Sequence, residues 1–125
     1  MEPRRVLVVD DEDHIREVAG VSLEAVGGWR VTTASSGAEA IEKAAAERPD
    51  AILLDVMMPE MDGPTTFHHL QGEESTRDIP VVLLTAKVHA ADRRRLDDLG
   101  VAAVLAKPFD PMTLSEQVAG ALGWS

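Results

Sequence analysis

The 125-residue chain contains no cysteine, which excludes disulfides, thiol catalysis and cysteine-ligated metal. It also lacks a long apolar run. Met1-Glu2-Pro3-Arg4-Arg5 leads into only a short hydrophobic stretch before Asp10, too short for a signal peptide or a membrane span. Positive charge is scarce as well, with Lys+Arg 12 against Asp+Glu 22 and a formal net charge of -10. A surface of that sign repels phosphate backbones and anionic lipid, so neither direct nucleic-acid binding nor a membrane contact is expected. A soluble cytoplasmic protein is the expectation. No linker, repeat or low-complexity segment interrupts the chain, and its length suits one domain, 1–125, that buries roughly two-thirds of its unfolded surface.

What is present is an alternation of short apolar runs and amphipathic segments. Arg5 to Val9 and Val81 to Thr85 are β-branched and leucine-rich, Ala51 to Asp55 is an apolar run closed by an acid, and Pro49 and Pro59 bracket that third run. Such runs read as strands buried on both faces of a parallel sheet. Trp29 to Ala34 alternates as a second strand, and Val101 to Ala106 reads as a fifth. Between them the spacing predicts a helix over Glu12 to Val26, with Ile15, Val18, Ala19, Leu23 and Val26 inward and Gly27-Gly28 as its stop. Ser36 with Glu39 suggests a capping box for a second helix with Ala38, Ile41 and Ala45 as its stripe. Asp62 would cap a third helix carrying Phe67 and Leu70 inward, after a loop from Met58 to Gly63. Gly72 to Asp78 reads as polar and exposed. His89 to Leu99 is a charged helix with Leu96 and Leu99 inward and Arg93-Arg94-Arg95 largely outward, and Met112 to Leu122 is the last. Strand and helix thus alternate five times. Right-handed crossovers then give an α/β fold, a doubly wound five-stranded parallel sheet with five helices, whose strand C-termini share one edge.

That edge collects the chemistry. Asp10 and Asp11 follow the first strand, Asp55 ends the third, Thr85 the fourth, and Lys107 follows the fifth. In open α/β sheets this is where ligands bind. Carboxylates brought that close repel one another by about 4 kcal/mol per pair at 4 Å and an effective dielectric near 20. They call for a cation. An oxygen-only donor set suits a hard ion, and one or two carboxylates plus waters is how Mg²⁺ is usually held. With a cation and Lys107 neutralising an incoming phosphoryl group, one carboxylate could act as nucleophile and form an acyl phosphate, with Thr85 donating a hydrogen bond to it.

With these motifs in order, the whole chain resembles the receiver domain of two-component response regulators, a flavodoxin-like fold, and looks like a stand-alone member. The likeness runs from Val6-Leu7-Val8-Val9-Asp10-Asp11 through Leu54-Asp55-Val56-Met57-Met58-Pro59 with Met61-Asp62-Gly63, then Pro80 to Thr85-Ala86, to Lys107-Pro108-Phe109. The resemblance implies that Asp55 is the phosphoacceptor, and that Asp10, Asp11, Asp55 and the carbonyl of Met57 hold Mg²⁺. It makes Thr85 and Lys107 the switch hydroxyl and the phosphoryl-sensing lysine, with Ala86 beside them and Pro108 following a cis bond. A sensor histidine kinase or histidine phosphotransfer protein would supply the phosphoryl group, and an unknown downstream protein would read it. Such a domain is a switch that catalyses only its own phosphorylation and dephosphorylation.

Two departures from the family stand out. Val104 occupies the place of a frequent aromatic three residues before the lysine, which predicts a signal leaving through the loop from Ala86 to Ala90 and the fourth helix, with the fifth strand nearly passive. Ala102 and Ala103 stand where acids support one dimer mode, which therefore loses support. An aspartate-nucleophile hydrolase would need a second acid two residues after the nucleophile, and the chain has Met57 there. A receiver-like scaffold that is never phosphorylated would have lost one of the five polar groups, and all are present. His68-His69 read as a polar helix face, and His14 carries no assigned role. Arg93-Arg94-Arg95 read as a solvated face with a partner contact as the alternative, and Trp124 either packs on the last helix or stands exposed.

Overall fold

The computed structural model describes residues 3–86 and 89–124. Five strands, β1 (Arg5–Val9), β2 (Arg30–Ala34), β3 (Ala51–Asp55), β4 (Val81–Thr85) and β5 (Ala103–Ala106), form one parallel sheet in the order β2-β1-β3-β4-β5. Five helices alternate with them: α1 (Asp13–Ala25), α2 (Gly37–Glu47), α3 (Gly63–Gly72), α4 (Ala90–Asp97) and α5 (Leu114–Leu122). Because strand side chains alternate, each apolar run is divided between two cores. Leu7, Val9, Ile52, Leu54 and Leu83 meet Ala40, Ala44, Phe67, Leu70 and Leu96 on the face covered by α2, α3 and α4. Val6, Val8, Leu53, Val82 and Leu84 meet Ala19, Leu23, Leu114 and Val118 on the face covered by α1 and α5. Each such leucine, fully buried, adds about 1.5–3 kcal/mol. The two cores fix strand order and register, and so place the site edge.

Several local expectations need correction. Val26 is exposed beyond the end of α1, where the chain turns into Gly28 at a φ of 72°. In α2 the buried stripe is Gly37, Ala40 and Ala44 with Ile41 alongside, while Ala38 and Ala45 face out. Alanines on all sides give a helix little contrast. The close approach of α2 to α3 decides the face: a Cβ at Gly37 would overlap Thr66 Oγ1 and lie 2.9 Å from the Met61 sulfur. The capping box is only half formed, for Ser36 accepts from the Glu39 amide at 3.1 Å while Glu39 reaches Ser35 instead. Within the polar segment after α3, Thr76 is buried because its hydroxyl donates to the Leu70 carbonyl at 2.7 Å. β5 begins at Ala103 rather than Val101. α5 begins at Leu114, because Asp110 accepts from the Met112 amide at 2.8 Å and turns the chain first; Met112 is exposed.

Trp124 does pack, edge-on against Trp29 with ring centroids 5.1 Å apart, and the Arg4 guanidinium lies 4.6 Å from its ring centre. This contact joins the N-terminal segment, the start of β2 and the end of α5 on the side of the sheet remote from the site. Among the described residues no helix is long and apolar enough to cross a membrane.

Candidate functional site

At the C-terminal edge of the sheet, β1 and β3 lie side by side, which sets Asp10 beside Asp55. Carboxylate oxygens of Asp10, Asp11 and Asp55 all lie within 4.8 Å of one another. Asp10 and Asp55 are buried and Asp11 is exposed, so the cluster opens to solvent on one side. β5 delivers Lys107 from the far edge of the sheet, and its ammonium donates to Asp10 Oδ2 at 2.9 Å and to Asp55 Oδ1 at 3.2 Å. The Lys107–Pro108 peptide bond is cis. Thr85 is buried at the end of β4, where its carbonyl accepts from the Lys107 amide at 2.9 Å, and Ala86 next to it is exposed. The Met57 side chain is exposed at the rim.

Among the described residues, the Lys107 ammonium bridges two of the three acids, Asp10 and Asp55. Both Asp10 oxygens are engaged, Oδ2 by Lys107 and Oδ1 by the Glu12 amide at 2.9 Å. Asp55 is less well compensated. Burial first and the neighbouring Asp10 charge second push its pKa up from 3.8 to about 6, against the opposing pull of Lys107 and the Met57 backbone. Burial by itself would lower the Lys107 ammonium; the hydrogen bond to Asp10 and the charge of Asp55 outweigh it and hold lysine above its usual value. A site with more negative charge than its fixed cation balances, and with oxygen donors only, fits a small hard divalent ion.

The backbone around Asp55 is held tightly. The Val56 amide donates to Leu84 O at 3.0 Å, and the Gly63 amide closes the loop onto Val56 O at 2.9 Å. Gly63 is the first residue of α3 rather than part of the loop, with Asp62 accepting from the Thr65 amide at 2.8 Å as the cap. A Cβ on Gly63 would sit 2.6 Å from Asp55 O and 2.8 Å from Val56 Cα, so only glycine lets the helix start press against the strand end. The sequence marked Gly63 as a loop breaker, and the close approach that requires it depends on packing between β3 and α3.

Two arginines near the site carry more than the sequence suggested. Arg16 of α1 donates to the Asp10 carbonyl at 2.6 Å. Arg93, though exposed like Arg94 and Arg95, folds back so that its guanidinium donates to Val104 O at 2.5 Å. Val104 itself is buried. The stretch from Ala86 to Ala90, expected to carry the signal, includes Lys87 and Val88, which lie outside the described residues.

The model of the response regulator receiver domain family matches residues 6–119. A probable transcriptional regulatory protein of Mycobacterium tuberculosis, TcrX, is 42% identical over 108 residues, which cover 86% of this chain and 45% of that protein. The chain therefore spans about half the length of such relatives. Among solved structures, the Vibrio cholerae chemotaxis protein CheY4 superposes with a TM-score of 0.87 at 31% identity, over 95% of this chain and 98% of that one. The receiver domain of a Pseudomonas aeruginosa sensor histidine kinase, with a magnesium ion coordinated in its active-site cleft, gives 0.85 at 30% identity over 97% and 98%. The chain belongs to the response regulator receiver domain family, and it is a phosphorylation switch of two-component signalling.

Proposed function

We propose that Asp55 is the residue phosphorylated, and that residues 1–125 act as one receiver domain. The observation that supports this most is the convergence on Asp55 of a second buried carboxylate and a bridging lysine, Asp10 and Lys107. In the proposed reaction an Asp55 carboxylate oxygen attacks the phosphorus of a phosphohistidine. The O–P bond forms as the N–P bond breaks, and the imidazole leaves with the electron pair and takes up a proton. Asp10, Asp11, Asp55 and the Met57 carbonyl would hold Mg²⁺, which when bound screens negative charge between the carboxylates and the phosphoryl group. Lys107, whose ammonium form its two carboxylate partners favour, moves from that pair onto a phosphoryl oxygen. Thr85 donates its hydroxyl to another oxygen, with the Ala86 backbone alongside. Attack of water on phosphorus later returns Asp55 and inorganic phosphate, so the domain catalyses only its own loading and unloading.

The donor in this reading is a sensor histidine kinase or a histidine phosphotransfer protein, the setting is the cytoplasm, and the reader is a protein partner rather than DNA or a membrane. The net charge of -10 favours that choice of partner. The test is incubation with acetyl phosphate and Mg²⁺ followed by intact-mass measurement. One phosphoryl group per chain is expected, and none on Asp55→Asn; a variant that still gains one would overturn the assignment.

A further inference from the structure

Arg16 stands out among the charged residues of α1 because it is mostly covered. Its side chain is 17% exposed, against 92% for Asp13, with which one terminal nitrogen pairs. The other terminal nitrogen donates to the main-chain carbonyl of Asp10 at 2.6 Å, six residues back along the chain. A guanidinium loses hydration when it is covered, and it does so only where its N–H groups find acceptors. Here the principal acceptor is backbone, and the backbone is that of the acidic pair. The carbonyl of Asp10 belongs to the peptide plane that joins Asp10 to Asp11. Fixing its direction fixes the rotation of that plane, and with it the directions in which both carboxylates leave the chain. Two further bonds secure the same turn, from the Asp10 amide to Ala34 O at 3.2 Å and from the Glu12 amide to Asp10 Oδ1 at 2.9 Å. Arg16 supplies the third restraint, and it is the one that comes from a side chain on α1.

We infer that Arg16 is a positioning residue for the cation site: it holds the Asp10–Asp11 peptide so that both carboxylates face the Mg²⁺ position. The inference rests on the reading of Asp10 and Asp11 as metal ligands. The obvious alternative is that Arg16 merely offsets negative charge, and the two accounts differ in sign. A nearby positive charge repels a divalent cation, so removing a pure counter-charge tightens Mg²⁺ binding. Removing a positioning group weakens it, and partners of this outer kind usually contribute 10–100-fold in metal affinity. The Asp13 carboxylate orients the guanidinium by taking its second nitrogen.

Isothermal titration of the whole chain with MgCl₂ tests this without phosphorylation. Arg16→Met is expected to weaken binding about 10-fold. Arg16→Lys should fall between, because an ammonium keeps the charge but cannot span both the Asp10 carbonyl and Asp13 as a planar fork does. In the same proteins the Glu12 amide should exchange faster with solvent, while amides in the middle of α1 stay as protected as before. Equal or tighter Mg²⁺ binding by Arg16→Met overturns the inference. Should that variant fail to fold, wild-type affinity in Arg16→Lys overturns it as well. A wild-type chain that binds no Mg²⁺ overturns the metal reading and the inference together, whereas wild-type binding with indifferent variants overturns the inference alone.

Discussion

Helices α1 and α4 have the same place in the topology, each leaving the site edge after a strand that ends in polar site residues, yet they are held very differently. α1 buries Ala19, Gly20, Ser22 and Leu23, ties its Ser22 hydroxyl to the Pro111 carbonyl ahead of α5, and grips the Asp10 carbonyl through Arg16. α4 buries only Leu96 among its eight residues, packs chiefly on β5, and is pinned there by the Arg93 guanidinium on Val104 O. The lesson is a division of labour. The acidic pair follows β1 and precedes a helix with four buried residues, while Thr85 precedes a helix with one, the kind of element expected to loosen first. In the reaction proposed above, a phosphoryl group on Asp55 would add roughly one to two negative charges and would draw Thr85 and Lys107 toward it. On that proposal the displacement would pass to the neighbour with fewer buried residues, α4.

Core truncation should show the largest difference between the two helices. Leu23→Ala should cost about 3–4 kcal/mol and Leu96→Ala about 2 kcal/mol, read by urea unfolding, since the second leaves a cavity near the surface that can collapse. Equal losses would mean that α4 is packed as firmly as α1. Next is the charge at the junction of the two regions. Asp55 has a folded pKa of about 6, above its ordinary 3.8, so the native state holds more protons than the unfolded one between those values. Stability is therefore full below the lower value and falls as pH rises toward the upper, by at most about 3 kcal/mol. In chelator, Asp55→Asn should recover up to about 3 kcal/mol at pH 7 and almost nothing near pH 3. A variant less stable than wild type at pH 7 would show that the acids do not strain the metal-free site. The smallest effect belongs to Arg93→Ala. Global stability should drop by about 1 kcal/mol or less, while amides of α4 exchange markedly faster and those of α1 do not.

Most of the frame was legible in the sequence because β1, β3 and β4, buried on both faces, leave a clear apolar signature, and each ends in or just before a polar residue of the edge. The shared edge on which Asp10, Asp11, Asp55, Thr85 and Lys107 lie could be read from position, since a parallel sheet brings strand ends together whatever the helices do. What could not be read depends on contacts between elements. The face of α2 was set by Gly37 against Thr66, and the burial of Thr76 by the Leu70 carbonyl. Arg93 looked like one of three solvated arginines until Val104 O was seen beneath it. That bond also modifies the expectation of a passive β5, because α4 cannot shift far without loosening its hold on Val104. Repulsion between the acids was expected from their positions in the sequence, whereas the upward push on the Asp55 carboxyl comes first from its burial and only then from the Asp10 charge, and burial is set by packing.

On the proposed function, phosphorylation of Asp55 is read out through α4 and not through α1. Amide hydrogen exchange in Mg²⁺, with and without beryllofluoride as the phosphoryl mimic, measures this directly. Residues 89–99 should show the largest change, residues 103–105 a smaller one passed on through Arg93, and residues 13–25 almost none. A dominant change in residues 13–25, with 89–99 unaltered, would show that the signal leaves through α1 instead.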